Sequence, residues 1–156
     1  MADTNLRFQV SVQPDWVDYN GHMNDAAYAK VFSLAADEFI EAIGLDAEAR
    51  KQYIYTMFTL ETHLCYLKEA HEGEALRVSY QLLDSDAKRL HIFLKMENAA
   101  GDIVATSEQM LMGMDAEQGR PAPFPKPVAE KVEKIQDEHK GLDLPKQAGR
   151  TIGFRR

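Results

Sequence analysis

One helical segment followed by a long stretch of period-two sequence limits the folds open to this chain. Between Asn24 and Gly44, the residues Ala27, Tyr28, Val31, Leu34, Ala35, Phe39 and Ile43 recur at helical spacing. Asn24 or Asp25 is a natural N-cap and Gly44 a natural stop, so the segment predicts a single long helix. Six alanines, at 26, 27, 29, 35, 36 and 42, leave room for another element to approach it closely. The period then changes from helical to alternating. Four strands are expected, at roughly 57–68, 74–84, 88–98 and 102–114, joined by links short enough for antiparallel neighbours. Before the helix, Leu6, Phe8, Val10 and Val12 alternate toward Pro14 and predict one more strand. One strand, one helix and a four-strand meander make an α+β domain whose antiparallel sheet wraps around one long central helix.

After Asp115 the character shifts. Pro121, Pro123, Pro125 and Pro127 exclude a central strand, and Val128–His139 reads as a polar helix. The chain thus divides into a domain at 1–115 and, at 116–156, a proline-rich connector, a short helix and a tail. Residues 45–55 read as a loop with a helical turn around Asp46–Gln52, and Met110, Met112 and Met114 are expected to line the core.

Composition excludes several functions. The 156 residues suit one domain, and 45% apolar with 28% charged residues is the balance of a folded protein. A net charge of −7 argues against a nucleic-acid surface. No apolar run approaches the ~20 residues of a membrane span. Met1–Asn5 carry no basic segment leading into an apolar run, so no export signal is read. Cys65 is the lone cysteine, which rules out an internal disulfide and suits a reducing cytoplasm.

The chemistry concentrates between the first strand and the helix, in Asp18-Tyr19-Asn20-Gly21-His22-Met23-Asn24. A plain turn needs one glycine and one cap. This one adds a carboxylate, two amides and an imidazole, which can act as base, orienting donors and proton carrier. It also opens onto a helix N-terminus, where free N–H groups favour developing negative charge. On the following strand, simple alternation puts Glu61 and His63 on one face. If that face covers the helix, both lie beneath the sheet and need partners at the corner. No His, Cys and carboxylate spacing, including that of His22, His63 and Cys65, reads as a metal site, so none is expected.

These residues resemble the helix entry of the hotdog-fold thioesterases. The 4-hydroxybenzoyl-CoA thioesterase-like branch carries Asp, two variable residues and Gly, then in many members His, Val or Met, and Asn. Asp18, Gly21, His22, Met23 and Asn24 match, with Tyr28 and Phe32 following as family aromatics often do. The plant acyl-carrier-protein thioesterases carry a related pattern that Asp18, Asn20, His22 and Asn24 fit. The likeness extends furthest to the small thioesterases of carnitine breakdown, proposed to act on betainyl-CoA. It runs through Glu61-Thr62-His63-Leu64, Asp86–His91 and Glu108–Leu111 and covers roughly residues 6–115. Trp16 stands where some branch members place a second Asp.

The resemblance implies hydrolysis of an acyl-CoA thioester, with no cofactor beyond the coenzyme A of the substrate. Asp18 would be general base or nucleophile; Asn20 and His22 would orient it or the water. Asn24 joins the catalytic set and Glu61 is the second carboxylate candidate. Backbone N–H groups near Gly21–Asn24 would hold the oxyanion. His63 is a further substrate contact, and Lys88 and Arg89 are candidates for the nucleotide phosphates. A betaine-like acyl group would be met by Trp16, Tyr19 and Tyr28, with Glu61 supplying charge. The resemblance also implies a homodimer whose sites lie at the interface and whose dimers can pair into tetramers. A hotdog enoyl-CoA hydratase and a non-catalytic acyl-CoA-binding module are the alternatives.

Overall fold

The computed structural model describes residues 6–156; Met1–Asn5, read above as carrying no export signal, lie outside the described residues. The chain forms β1 (Arg7–Ser11), α1 (Asp25–Ala42), α2 (Ala47–Tyr53), β2 (Tyr55–Tyr66) and β3 (Ala75–Ser85). It continues through β4 (Arg89–Asn98), β5 (Ile103–Asp115), β6 (Arg120–Pro121) and α3 (Lys126–His139). A single 3₁₀ turn at Pro14–Trp16 links β1 to the corner before α1. The sheet is antiparallel, in the order β1-β3-β4-β5-β2, with β6 added to β5. This is the α+β hotdog arrangement expected from the sequence.

Asn24 starts α1 by accepting the N–H of Ala27 on its side-chain oxygen at 2.9 Å. The helix buries Ala27, Tyr28, Val31, Phe32, Ala35, Ala36 and Phe39. Three of its six alanines are therefore the small residues that let the sheet close over it. The sheet answers with Leu76, Val78 and Leu82 of β3, Leu90, Ile92, Leu94 and Met96 of β4, and Ala105 and Leu111 of β5. Full burial of each large side chain contributes roughly 1.5–3 kcal/mol. Helix α3 sends Val128, Val132 and Ile135 into the same core, so it packs as part of one body. The tail beyond it crosses the sheet face away from α1. There Gly149 N–H donates to Glu108 Oε1 at 2.7 Å and Gln81 Nε2 to the Asp143 carbonyl at 3.2 Å.

Two expectations are corrected by the register. A β-bulge at Leu60 inserts one residue between the pairs Thr59↔Leu111 and Glu61↔Met110. Directly opposed residues share a face, so beyond the bulge Thr62, Leu64 and Tyr66 look toward α1 with Gln109, Ser107 and Ala105. Glu61, His63 and Cys65 turn to the opposite face, so Glu61 and His63 are not beneath the sheet. The methionine stripe shares their face: Met110 and Met112 are half-buried there, Met114 is buried, and Leu111 takes the core position between the first two.

Beyond Ser79, β3 has no strand neighbour on the β1 side among the described residues, where β1 pairs with Ala75–Ser79. The N–H of Leu82 donates instead to His139 Nδ1 at 2.9 Å. Burial pushes the His139 pKa down, so the folded chain holds it neutral. An unfolded chain protonates this histidine near pH ~6.5. Stability from this site is therefore present above that pH and is lost as pH falls through the lower folded value. Urea unfolding should show less dependence on acid in His139→Asn, which keeps an acceptor but does not titrate. Identical acid slopes in both proteins would show that His139 carries none of it.

Candidate active site

The corner between β1 and α1 is a closed turn built on Asp18. Its Oδ1 accepts the N–H of Asn20 at 2.8 Å and of His22 at 3.2 Å. Its own N–H donates to the His22 carbonyl at 2.9 Å, and its carbonyl accepts from Gly21 at 3.0 Å. Gly21 has φ +77°, the left-handed conformation that a side chain would strain. One carboxylate oxygen is thus fixed by the turn, while Oδ2 has no partner among the described residues. Asp18, Tyr19 and Asn20 are exposed, Tyr19 at 97%.

Asn24 is fully engaged structurally: besides capping α1, its Nδ2 donates to the Trp16 carbonyl at 3.0 Å. The expectation that N–H groups of Gly21–Asn24 await an oxyanion is corrected. Gly21 and His22 donate to Asp18, Met23 to the Ala70 carbonyl at 2.8 Å, and Asn24 to the Trp16 carbonyl at 2.9 Å. The first amide of α1 left without a partner among the described residues is that of Asp25.

Beside the corner opens a cleft of about 350 Å³ lined by Met23, Asp25, Tyr28, Tyr66, Leu67, Lys68 and Glu69. Tyr28 and Tyr66 meet edge to face at 5.3 Å, and the Tyr66 hydroxyl donates to the Asp25 carbonyl at 3.3 Å. Burial, with the Asp25 carboxylate adding to it, pushes the Tyr66 phenol up. Sequence reasoning missed Tyr66, because nothing in its neighbourhood announces that β2 ends over the start of α1. A separate cleft of about 420 Å³, lined by Arg7, Phe93, Lys95 and His139 among others, includes none of the corner residues.

The remaining candidates scatter. Trp16 is buried, and Lys30 Nζ already stands 5.8 Å from its ring centroid. Glu61 and His63 lie across the sheet from α1; His63 is paired with Glu108, which bonds His91 Nε2 at 2.6 Å. Lys88 and Arg89 close the β3–β4 hairpin, whereas the corner sits at the Ala75 end of β3. Eleven residues of strand separate the two ends, about 35 Å. Arg89 is also committed to Asp86, whose carboxyl it holds below the usual range. His22 instead meets two residues that sequence reasoning passed over. Its Nε2 is 3.3 Å from Glu69 Oε2, and its ring lies edge to face with His71 at 4.9 Å.

Comparison with known proteins places this geometry in a family. The model of the thioesterase-like superfamily matches residues 12–132. A betainyl-CoA thioesterase of Pseudomonas aeruginosa is 42% identical over 155 residues, covering 99% of this chain and 98% of that protein. An L-carnitine dehydrogenase/betainyl-CoA thioesterase of Rhizobium meliloti is 42% identical over 149 residues, covering 93% of this chain and 29% of that longer protein. Among solved structures, a Staphylococcus aureus protein in complex with CoA superposes with a TM-score of 0.93 at 31% identity. That match covers 99% of this chain and 98% of the other. Since the superfamily match runs from the Asp18 corner through the whole β2–β6 sheet into α3, the chain belongs to the thioesterase-like superfamily and is an acyl-CoA thioesterase.

Proposed function

We propose that this thioesterase hydrolyses betainyl-CoA to betaine and coenzyme A, with Asp18 as the carboxylate that activates water. The observation that carries the reading is the cleft between the Asp18 corner and the end of β2. Tyr28 and Tyr66 supply aromatic surface there and Asp25 a carboxylate, in one cleft of about 350 Å³. A trimethylammonium cannot donate a conventional hydrogen bond and is held by ring faces and nearby negative charge. The names of the two curated relatives support the same acyl group. The aromatic role thus moves from Trp16 and Tyr19 to Tyr66, with Tyr28 retained.

In the reaction, Asp18 Oδ2 takes a proton from water as the oxygen attacks the thioester carbon. The C–S bond then breaks, releasing the thiolate of coenzyme A, which recovers a proton. The Asp25 N–H, at the positive end of α1, faces the charge that develops on the carbonyl oxygen. No cofactor is required beyond the coenzyme A of the substrate.

The same reading makes the protein a homodimer joined through β2. Among the described residues that strand is paired on one side only, by β5. It exposes Phe58 and Leu60, with Leu34 exposed on α1. A two-fold axis at β2 reverses one sheet against the other, so the Lys88 end of one protomer faces the Asp18 end of its partner. No helix among the described residues is long and apolar enough to cross a membrane. We place the protein in the cytoplasm, where Cys65 remains a thiol.

Thiol release from betainyl-CoA and from its neutral isostere tert-butylacetyl-CoA tests the acyl group. Tyr66→Leu should lower kcat/KM for betainyl-CoA about 10-fold, the loss of one good cation–π face, and alter the neutral ester little. Equal hydrolysis of the two esters by the unaltered protein would reject the betaine reading and leave the thioesterase activity standing.

A further inference from the structure

We propose that His22, Glu69 and His71 bind a divalent first-row transition-metal ion such as Zn²⁺, and that occupancy inhibits hydrolysis by capturing His22. One ligand atom from each of the three lies within 4.8 Å of the others. The inhibitory half rests on the catalytic reading of the corner; the binding half does not.

The geometry is close to what a metal needs. Tetrahedral zinc with bonds of about 2.0–2.1 Å sets its ligand atoms roughly 3.3–3.4 Å apart. The 3.3 Å between His22 Nε2 and Glu69 Oε2 already matches one such edge. His71 closes the others by rotating an exposed side chain. The two loops that carry these residues are fastened by backbone, which reduces the entropy lost in gathering the ligands. His22 and His71 form an antiparallel bridge. Met23 N–H donates to the Ala70 carbonyl at 2.8 Å, and Glu72 N–H to the Gly21 carbonyl at 3.4 Å.

A second carboxylate supports the site from behind. Glu74 Oε1 accepts the His71 backbone N–H at 2.9 Å and stands 3.5 Å from His71 Nδ1. A carboxylate near Nδ1 favours the proton on that nitrogen and leaves Nε2 with its lone pair, the kind of support a metal-bound imidazole uses. Lys68 does not compete for Glu69, being held by Asp102 at 2.7 Å. Two imidazoles and one carboxylate select zinc, cobalt, nickel or copper over magnesium or calcium.

Inhibition follows from where His22 sits. Its backbone N–H is bonded to Asp18 Oδ1. A metal on the ring occupies the imidazole nitrogen and fixes the ring toward Glu69 and His71, so His22 can no longer orient Asp18 or the attacking water.

The test is a titration of the chelator-stripped protein with Co²⁺, read by its visible absorption, followed by displacement with Zn²⁺. One ion per chain is expected, with the band lost in His71→Ala and in Glu69→Gln. Zn²⁺ should lower turnover severalfold in the unaltered protein, whereas His71→Ala should keep its activity and be insensitive to Zn²⁺. A missing band, or one that both variants retain, overturns the site. A normal band with undiminished turnover at saturating Zn²⁺ overturns the inhibition. Because the band is read without substrate, a failure of the betaine reading leaves the metal result intact.

Discussion

Asp18→Asn is expected to lower turnover at least ~100-fold while the protein remains folded, the lower range for loss of a general base. The substitution is clean because the two carboxylate oxygens have different tasks. Oδ1 accepts from Asn20 and His22 and holds the turn. An asparagine oxygen can replace it there, so urea unfolding should change little. Its amide nitrogen then occupies the place of Oδ2, and an amide cannot take the proton from water. Asp18→Ala removes both roles and should also destabilise the fold by about 1 kcal/mol. Glu61→Gln is the matched comparison. Glu61 lies on the face of the sheet away from α1, so its loss should be much smaller than that of Asp18. Near-full activity in folded Asp18→Asn, or a larger loss in Glu61→Gln, would remove Asp18 from the centre of the mechanism.

The contrast between these two carboxylates marks what the sequence made legible. Helix α1 was readable because Asn24 and Gly44 punctuate an unbroken apolar stripe. The strands were readable because alternation persists, and the Asp18 corner because its residue types exceed what a turn requires. Alternation is a local signal, however, and it assumes a continuous pleat. The bulge at Leu60 inserts a residue without disturbing the composition around it, so every position beyond it exchanges faces and Glu61 and His63 leave the helix side. The oxyanion expectation failed for a similar reason. Which backbone N–H groups are free depends on partners such as the Ala70 carbonyl, brought in from a distant loop. The same loop delivers Glu69 and His71 to His22, a meeting that no local spacing encodes. Tyr66 entered the site by the same route, as the last residue of a strand that ends over the helix N-terminus.

Gly113→Ala should be among the most damaging single substitutions in the chain, destabilising it by about 2–6 kcal/mol. Gly113 sits opposite Met57 in the β2–β5 ladder, and the Tyr55 ring lies across it. A Cβ at 113 would fall 1.7 Å from the Tyr55 hydroxyl oxygen and 2.6 Å from Cζ. The ring is buried and cannot remain in place. Its displacement ends the 2.8 Å hydrogen bond from the hydroxyl to the Ala122 carbonyl and the edge-to-face contact with Phe124. Overpacking costs about 1–3 kcal/mol, and an orphaned buried acceptor about 1–3 more. Against a total stability of roughly 5–15 kcal/mol, that threatens folding at working temperature. The connector through β6 should loosen with it, since Ala122 N–H also bonds the Gly113 carbonyl at 3.0 Å. Tyr55→Ala loses the ring but removes the collision, so adding Gly113→Ala to it should cost much less than Gly113→Ala alone. Urea unfolding of the four proteins measures this coupling. If Gly113→Ala alone falls within about 1 kcal/mol of the unaltered chain, the Tyr55 ring can leave its place freely and the strap it holds is not part of the folded core.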